Sequence, residues 1–214
     1  MPSAAGSVRS TDFGGLRIDY DDTMLRPRGW TLAQSEWAAE LLPSMPPGPV
    51  LELCAGAGHL GLVAVRRFGR PLVAVEDNPS ACAHLRRNAA RAGLGGLVEV
   101  REGRVDQALL PDERFALVIA DPPWVQRDRI GAFPEDPAHT IDGGETGLDV
   151  ARQCLAVVAT HLRPGGAAVL QLGSAAQVDQ LGPQLGEHSH LSLAEVRSYG
   201  VRGVLARIDH ATAD

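Results

Sequence analysis

Short apolar runs alternate along the chain with stretches whose apolar positions fall three or four apart. The runs at 50–53, 72–75, 97–100, 115–120 and 167–172 predict buried strands, since a strand covered on both faces carries no polar alternation. Between them the helical spacing predicts helices over about 58–68, 79–91 and 147–162, with a weaker one near 175–185. Asn78 before Pro79 is a cap followed by a proline at the first helical position, which places the start of the second of these helices. Ahead of the first strand, Thr31-Leu32-Ala33-Gln34 has the form of a capping box for a helix that Pro43, Pro46, Pro47 and Pro49 bring to an end.

The tail breaks this pattern. Residues 191–197 and 204–208 alternate apolar and polar positions across the short connection Tyr199-Gly200-Val201-Arg202-Gly203, too short for a crossover, so they predict an antiparallel pair. Strand–helix alternation closed by such a hairpin predicts an α/β, Rossmann-like doubly wound fold. Its sheet would have seven strands, mostly parallel, with an antiparallel C-terminal hairpin. Residues 1–12 are rich in Ala, Gly and Ser and predict a chain without structure. Gly14-Gly15 and Asp21-Asp22 punctuate the next stretch as a small hairpin or lid. The expected division is thus a flexible segment with a hairpin or lid at 1–30 and a single domain at 31–214.

Composition narrows the class. At 214 residues, 44% hydrophobic but only 4% aromatic, the core is built from Leu, Val and Ala. A formal net charge of −6 does not favour a nucleic-acid partner, although it leaves room for a local basic patch. Cys54, Cys82 and Cys154 are widely spaced and fit no metal pattern. They read as reduced thiols of a cytoplasmic protein, and no apolar stretch has the length of a membrane span.

The candidate chemistry starts at the end of the first strand. Gly56, Gly58 and Gly61 fit Gly-x-Gly-x-x-Gly, with acidic Glu76 at about the 20-residue distance expected for a ribose-binding carboxylate. This loop suits NAD and S-adenosylmethionine alike. Glu52, inside the first strand, favours the second, because a carboxylate there can orient the loop and meet an ammonium group directly or through water. Asp121-Pro122-Pro123-Trp124 follows the fourth strand, and a proline pair takes the chain out of the sheet there. Residues 125–145 then form a loop of a length usually kept for function. Within it, Arg127 and Arg129 are candidates for a phosphate or an acidic substrate. His59 is either a cofactor contact or a surface residue, His188 and His190 read as solvated loop, and no metal site is expected.

Asp-Pro-Pro-aromatic after the fourth strand resembles the motif of S-adenosylmethionine-dependent methyltransferases that act on planar nitrogens. More specifically, Met24-Leu25-Arg26-Pro27-Arg28, the segment from Asp142-Gly143-Gly144-Glu145 through Asp149, and Leu162-Arg163-Pro164-Gly165-Gly166 resemble the release-factor glutamine N5-methyltransferase family over about residues 24–208. The resemblance implies that Cys54, Ala55, Gly56 and Gly58 hold the methionine end of the cofactor. It gives Glu76 the ribose, with Asp77 beside it, and Asp121 both cofactor and acceptor nitrogen. Asp121 and the Pro122 carbonyl would accept the two N–H bonds of that nitrogen while Trp124 stacks on the planar group and Pro123 lines the site.

The sequence departs from that family in three ways. It has only about 30 residues where the family carries an N-terminal recognition domain. It has Asp-Pro-Pro-Trp where Asn-Pro-Pro-Tyr is usual. Arg104 stands where an acidic residue often reads adenine, which passes that role to Asp106 or to backbone. The acceptors in view are a protein glutamine amide, a nucleobase amine or a small molecule. An NAD-dependent dehydrogenase or a non-catalytic nucleotide-binding module is the reading from another class.

Overall fold

The computed structural model describes residues 7–212. The chain opens with an antiparallel hairpin, β1 (Arg9–Phe13) and β2 (Leu16–Tyr20). Residues 9–12, expected to lack structure, are therefore in a strand, while 1–6 lie outside the described residues. The tie that orders this hairpin is long-range: the buried Asn88 carboxamide accepts from the Asp19 amide at 2.9 Å and donates to the Asp19 carbonyl at 3.0 Å.

Helix α1 (Leu32–Leu41) follows. The expected capping box does not form. The Thr31 hydroxyl donates to the Arg28 carbonyl at 2.8 Å, and Gln34 points into the protein, where its amide nitrogen donates to the carbonyls of Ala120 and Val169, both at 2.9 Å.

The sheet then builds as β3 (Val50–Leu53), α2 (His59–Arg66), β4 (Leu72–Glu76), α3 (Pro79–Arg91), β5 (Val98–Glu102) and β6 (Phe115–Ala120). After a loop holding the one-turn helix α4 (Ala138–Ile141) come α5 (Asp149–His161), β7 (Leu162–Leu172), α6 (Ala175–Gly186), β8 (Leu191–Ser198) and β9 (Val204–His210). Asn78 caps α3 as expected, accepting from the Ser80 and Ala81 amides. The strand order is β5-β4-β3-β6-β7-β9-β8. The first five run parallel, and β9 and β8 are antiparallel, which is the expected sheet with its C-terminal hairpin.

Side chains of each strand alternate between two cores. Val50, Leu72, Leu117 and Val169 pack on the side of the hairpin and α1 to α3, and Leu51, Val73, Val118 and Leu170 on the side of α5 and α6. The chain leaves β3 toward β4 and β5, then returns to place β6 on the other flank of β3. Beyond the carboxyl ends of β3 and β6, where the order reverses, such sheets bind their ligands. Among the described residues, no helix is long and apolar enough to cross a membrane.

Candidate active site

Two cavities open at this reversal, one of about 260 Å³ over β3 and β4 and one of about 230 Å³ over β6 and β7. Asp121, Pro123, His59, Leu25 and Thr140 line both. The two spaces meet at the residue with which the motif after β6 begins.

The first cavity collects Cys54, Gly56, Glu76, Asp77 and Asp121 of the expected cofactor residues. Glu76 closes β4 and accepts from the Gly56 amide at 2.7 Å and from the Asn78 amide at 2.9 Å. Burial raises its carboxyl above the usual range, and these two donors oppose the rise. Cys54 holds φ at +57°, the one non-glycine residue at positive φ among the described residues. Such a backbone is sustained only where the surroundings over-determine it.

The three glycines of the fingerprint serve different ends. A Cβ on Gly56 would meet nothing within 4 Å, so this position faces open cavity. Gly58 needs its φ of +81°, and a Cβ there would stand 2.5 Å from Leu85 of α3. At Gly61 a Cβ would stand 2.4 Å from Glu52 Oε2.

Three expected cofactor residues lie behind the cavity instead of on its wall. Strand alternation turns Glu52 under the first turn of α2, where it is 1% exposed and its Oε1 accepts from the Gly61 amide at 2.9 Å. It is neither a solvent-facing residue nor open to an ammonium group in the cavity, and burial pushes its carboxyl up to about 8. Ala55 is buried and donates its amide to the Val75 carbonyl at 3.1 Å. Gly58 faces α3. Asp106, the expected reader of adenine, is also absent from the wall; Arg104 lines the cavity and engages the Asp106 carboxylate at 3.0 Å.

The second cavity is lined by Asp121, Pro122, Pro123 and Trp124 together. Burial alone pushes the Asp121 carboxyl up to about 7. The Trp124 indole lies against the end of β7, where a Cβ on Gly173 would come within 2.4 Å of the ring. Gln177 holds this arrangement: its amide nitrogen donates to the Trp124 carbonyl at 2.9 Å and its oxygen accepts from the Gly173 amide at 2.8 Å. Arg127 and Arg129 do not line either cavity. They sit on an exposed turn, with Arg127 paired to Asp142 at 3.1 Å. Arginines Arg26, Arg28 and Arg202 line the second cavity in their place.

The sequence reading missed Gln177, Gln171 and the contacts of residues 23–28 with the rest of the chain. The Thr23 carbonyl accepts from Asn78 Nδ2 at 2.8 Å and lies 3.1 Å from His139 Nε2, and Arg28 pairs with Asp136. These contacts join residues 23–28 to the cap of α3 and to the loop after the motif. His59 borders both cavities, its ring edge-on to Phe13 with centroids 4.7 Å apart. Burial lowers its imidazole to about 4, so it is neutral at pH 7. No cluster suited to a metal ion occurs among the described residues.

The sequence pattern of the family described as Conserved hypothetical protein 95 matches residues 24–134. A release factor glutamine methyltransferase of Mycolicibacterium smegmatis is 36% identical over 168 residues, covering 74% of this chain and 57% of the relative. A ribosomal protein uL3 glutamine methyltransferase of Bradyrhizobium diazoefficiens is 34% identical over 142 residues, covering 64% of this chain and 44% of the relative. The chain thus spans about half the length of these relatives. Among solved structures, the hMettl16 catalytic domain in complex with MAT2A 3'UTR hairpin 1 superposes with a TM-score of 0.72 at 16% identity, covering 94% of this chain and 76% of that one. The ribosomal protein L11 methylase of Lactobacillus delbrueckii subsp. bulgaricus does so with a TM-score of 0.66 at 14% identity, covering 90% and 84%. At these identities the likeness is one of fold.

Proposed function

The chain belongs to the Conserved hypothetical protein 95 family, and from that premise we propose that it is an S-adenosylmethionine-dependent methyltransferase acting on a planar nitrogen, the side-chain amide of a protein glutamine. The observation that carries this reading is the meeting of the two cavities at Asp121. A donor in one and an acceptor in the other would have their reacting atoms on either side of one carboxylate. The glutamine methyltransferases among the relatives favour glutamine over a nucleobase amine or a small molecule. The free Cys54, Cys82 and Cys154 agree with a cytoplasmic setting.

The residues of the first cavity fit the cofactor. Gly56 leaves room for a close approach. Glu76 and Asp77 present carboxylates to that space, a donor set suited to a ribose diol. When bound, S-adenosylmethionine supplies an activated methyl group on a sulfonium centre. The chain itself has to hold the acceptor nitrogen, whose lone pair is delocalised and weakly nucleophilic. Asp121 and the Pro122 carbonyl accept its two N–H bonds, and Trp124 fixes the plane of the group, an effect of orientation and electrostatics. With its carboxyl near 7, Asp121 can also take up the proton that the nitrogen sheds as its bond to carbon forms. Residues 31–214 would act as the catalytic domain. Arg127 and Arg129 would meet only a substrate that reaches beyond the second cavity.

The test is incubation with methyl-labelled cofactor and a methyl-depleted lysate, followed by separation into protein, nucleic acid and small molecules. Label on protein glutamine is expected; label confined to another fraction would overturn the choice of acceptor. Calorimetry should show binding of S-adenosylhomocysteine, and binding of NADH alone would overturn the cofactor. Asp121→Ala should keep S-adenosylhomocysteine affinity within about tenfold while nearly abolishing turnover.

A further inference from the structure

The second cavity has a polar wall that the Asp-Pro-Pro-Trp motif does not supply. Gln171 stands near the end of β7, and the register that pairs Ala120 with Leu170 sets it beside Asp121. It lines the second cavity and is only 2% exposed, and its Oε1 has no hydrogen-bond partner among the described residues. Buried carboxamides are almost always bonded. Gln34 serves the neighbouring strand-end carbonyls of Ala120 and Val169, and the Gln171 carboxamide nitrogen donates to none of the described residues, so it is free to serve what enters the cavity.

Apart from Arg26, Arg202, His59 and the indoles of Trp30 and Trp124, which also line the cavity, the donors there are committed. The hydroxyls of Thr31 and Thr140 donate to the carbonyls of Arg28 and Pro137 at 2.8 and 2.7 Å, and Arg28 is paired with Asp136. The ionised Asp121 carboxylate and the Pro122 carbonyl are acceptors only. A primary carboxamide needs both kinds of partner, two acceptors for its N–H bonds and one donor for its carbonyl oxygen.

We propose that Gln171 determines acceptor specificity, donating from its carboxamide nitrogen to the carbonyl oxygen of the substrate glutamine while Asp121 and the Pro122 carbonyl hold that glutamine's nitrogen. This rests on the methyltransferase reading above. Gln171 thus touches the acceptor directly and is not required for cofactor binding.

The experiment compares wild type with Gln171→Glu, which keeps the length and loses the donor, and with Gln171→Met, which introduces no buried charge should the first variant not fold. Three quantities are read: KM and kcat for the labelled protein acceptor, S-adenosylhomocysteine affinity, and the melting temperature. The expected result is a KM raised about tenfold or more, with kcat and S-adenosylhomocysteine affinity within about twofold. An unchanged KM in a folded variant would overturn the role of Gln171 and leave the glutamine reading intact. A loss of stability and cofactor affinity in parallel with the KM change would make Gln171 merely structural, which also overturns it. Adenosine serves as the competing probe: if it protects the Gln171 side-chain NH2 signal in nuclear magnetic resonance and N-acetylglutamine methylamide does not, the wall reads a nucleobase and the proposal fails. Should wild type label no protein glutamine at all, the functional reading falls first.

Discussion

Replacing Asp121 by Asn tests the electrostatics of the site without any substrate. Burial pushes this carboxyl from 3.8 to about 7, so over about three pH units the folded chain keeps a proton that the unfolded chain has released. Below pH 4 both states are protonated and the charge costs nothing. Between pH 4 and 7, stability falls as pH rises, and above pH 7 the full cost, at most about 4 kcal/mol, persists. Asn does not titrate. The stability of Asp121→Asn relative to wild type should therefore grow from near its acid value to several kcal/mol by pH 8, on the order of 10 °C in melting temperature for a chain of this size.

Glu52 and Glu76 are present in both proteins, and the Asp121 charge is the least of the causes that raise Glu52, so most of their own titration cancels in the difference. The assay is thermal unfolding of the two proteins from pH 4 to 8.5 without added cofactor. Melting curves that stay parallel across this range would refute the assignment of a raised carboxyl to Asp121. The same substitution links stability to turnover. Wild-type kcat/KM should fall about tenfold per unit below pH 7 as the acceptor carboxylate is protonated. Asp121→Asn, whose neutral oxygen still accepts one N–H bond, should lose that acid limb.

Glu76→Gln retains one of the two backbone bonds and loses the charge, so S-adenosylhomocysteine affinity in calorimetry should drop by about tenfold to a hundredfold. Gly58→Ala drives a methyl into Leu85 at a positive φ and should lower unfolding free energy by about 1–3 kcal/mol, measured in urea. Gly56→Ala meets no atom, so its larger effect should be on cofactor affinity; the opposite ordering of the two glycines would refute their separation. Arg28→Ala leaves Asp136, only 8% exposed, without its guanidinium, and amide exchange over residues 133–141 should accelerate on the order of tenfold.

The sheet was legible because its information is local. Phe115 to Ala120 are buried on both faces, and a run of apolar residues announces that directly. Asp121 and the prolines after it were legible for the same reason, being a break at the end of such a run. What escaped were polar side chains whose partners lie far along the chain. Asn88 reaches Asp19 across 69 positions, Gln34 reaches Val169 across 135, and Gln177 reaches Trp124 across 53. Without those partners Gln34 reads as half of a capping box and residues 9–12 as a tail. Arg127 and Arg129 show the converse, since nearness in sequence to the motif suggests the cavity wall while the turn that follows carries them off it.

The glycine fingerprint explains why two cofactors fitted the loop equally well in the sequence. Of its three glycines only Gly56 faces the cavity; Gly58 makes room for Leu85, and Gly61 for the buried Glu52. Two thirds of the pattern thus encodes how α2 packs on β3 and α3, a requirement of any strand–turn–helix that presents its loop this closely, whatever binds there. On the proposed function, discrimination falls to groups that would touch the reacting atoms, across the reversal of the sheet at the ends of β6 and β7. Asp121 takes part in both cavities, while Gln171 lines the second and not the first and has no partner of its own for its inner oxygen. The proposed choice of acceptor therefore rests on residues at the ends of the two strands that the fingerprint does not include.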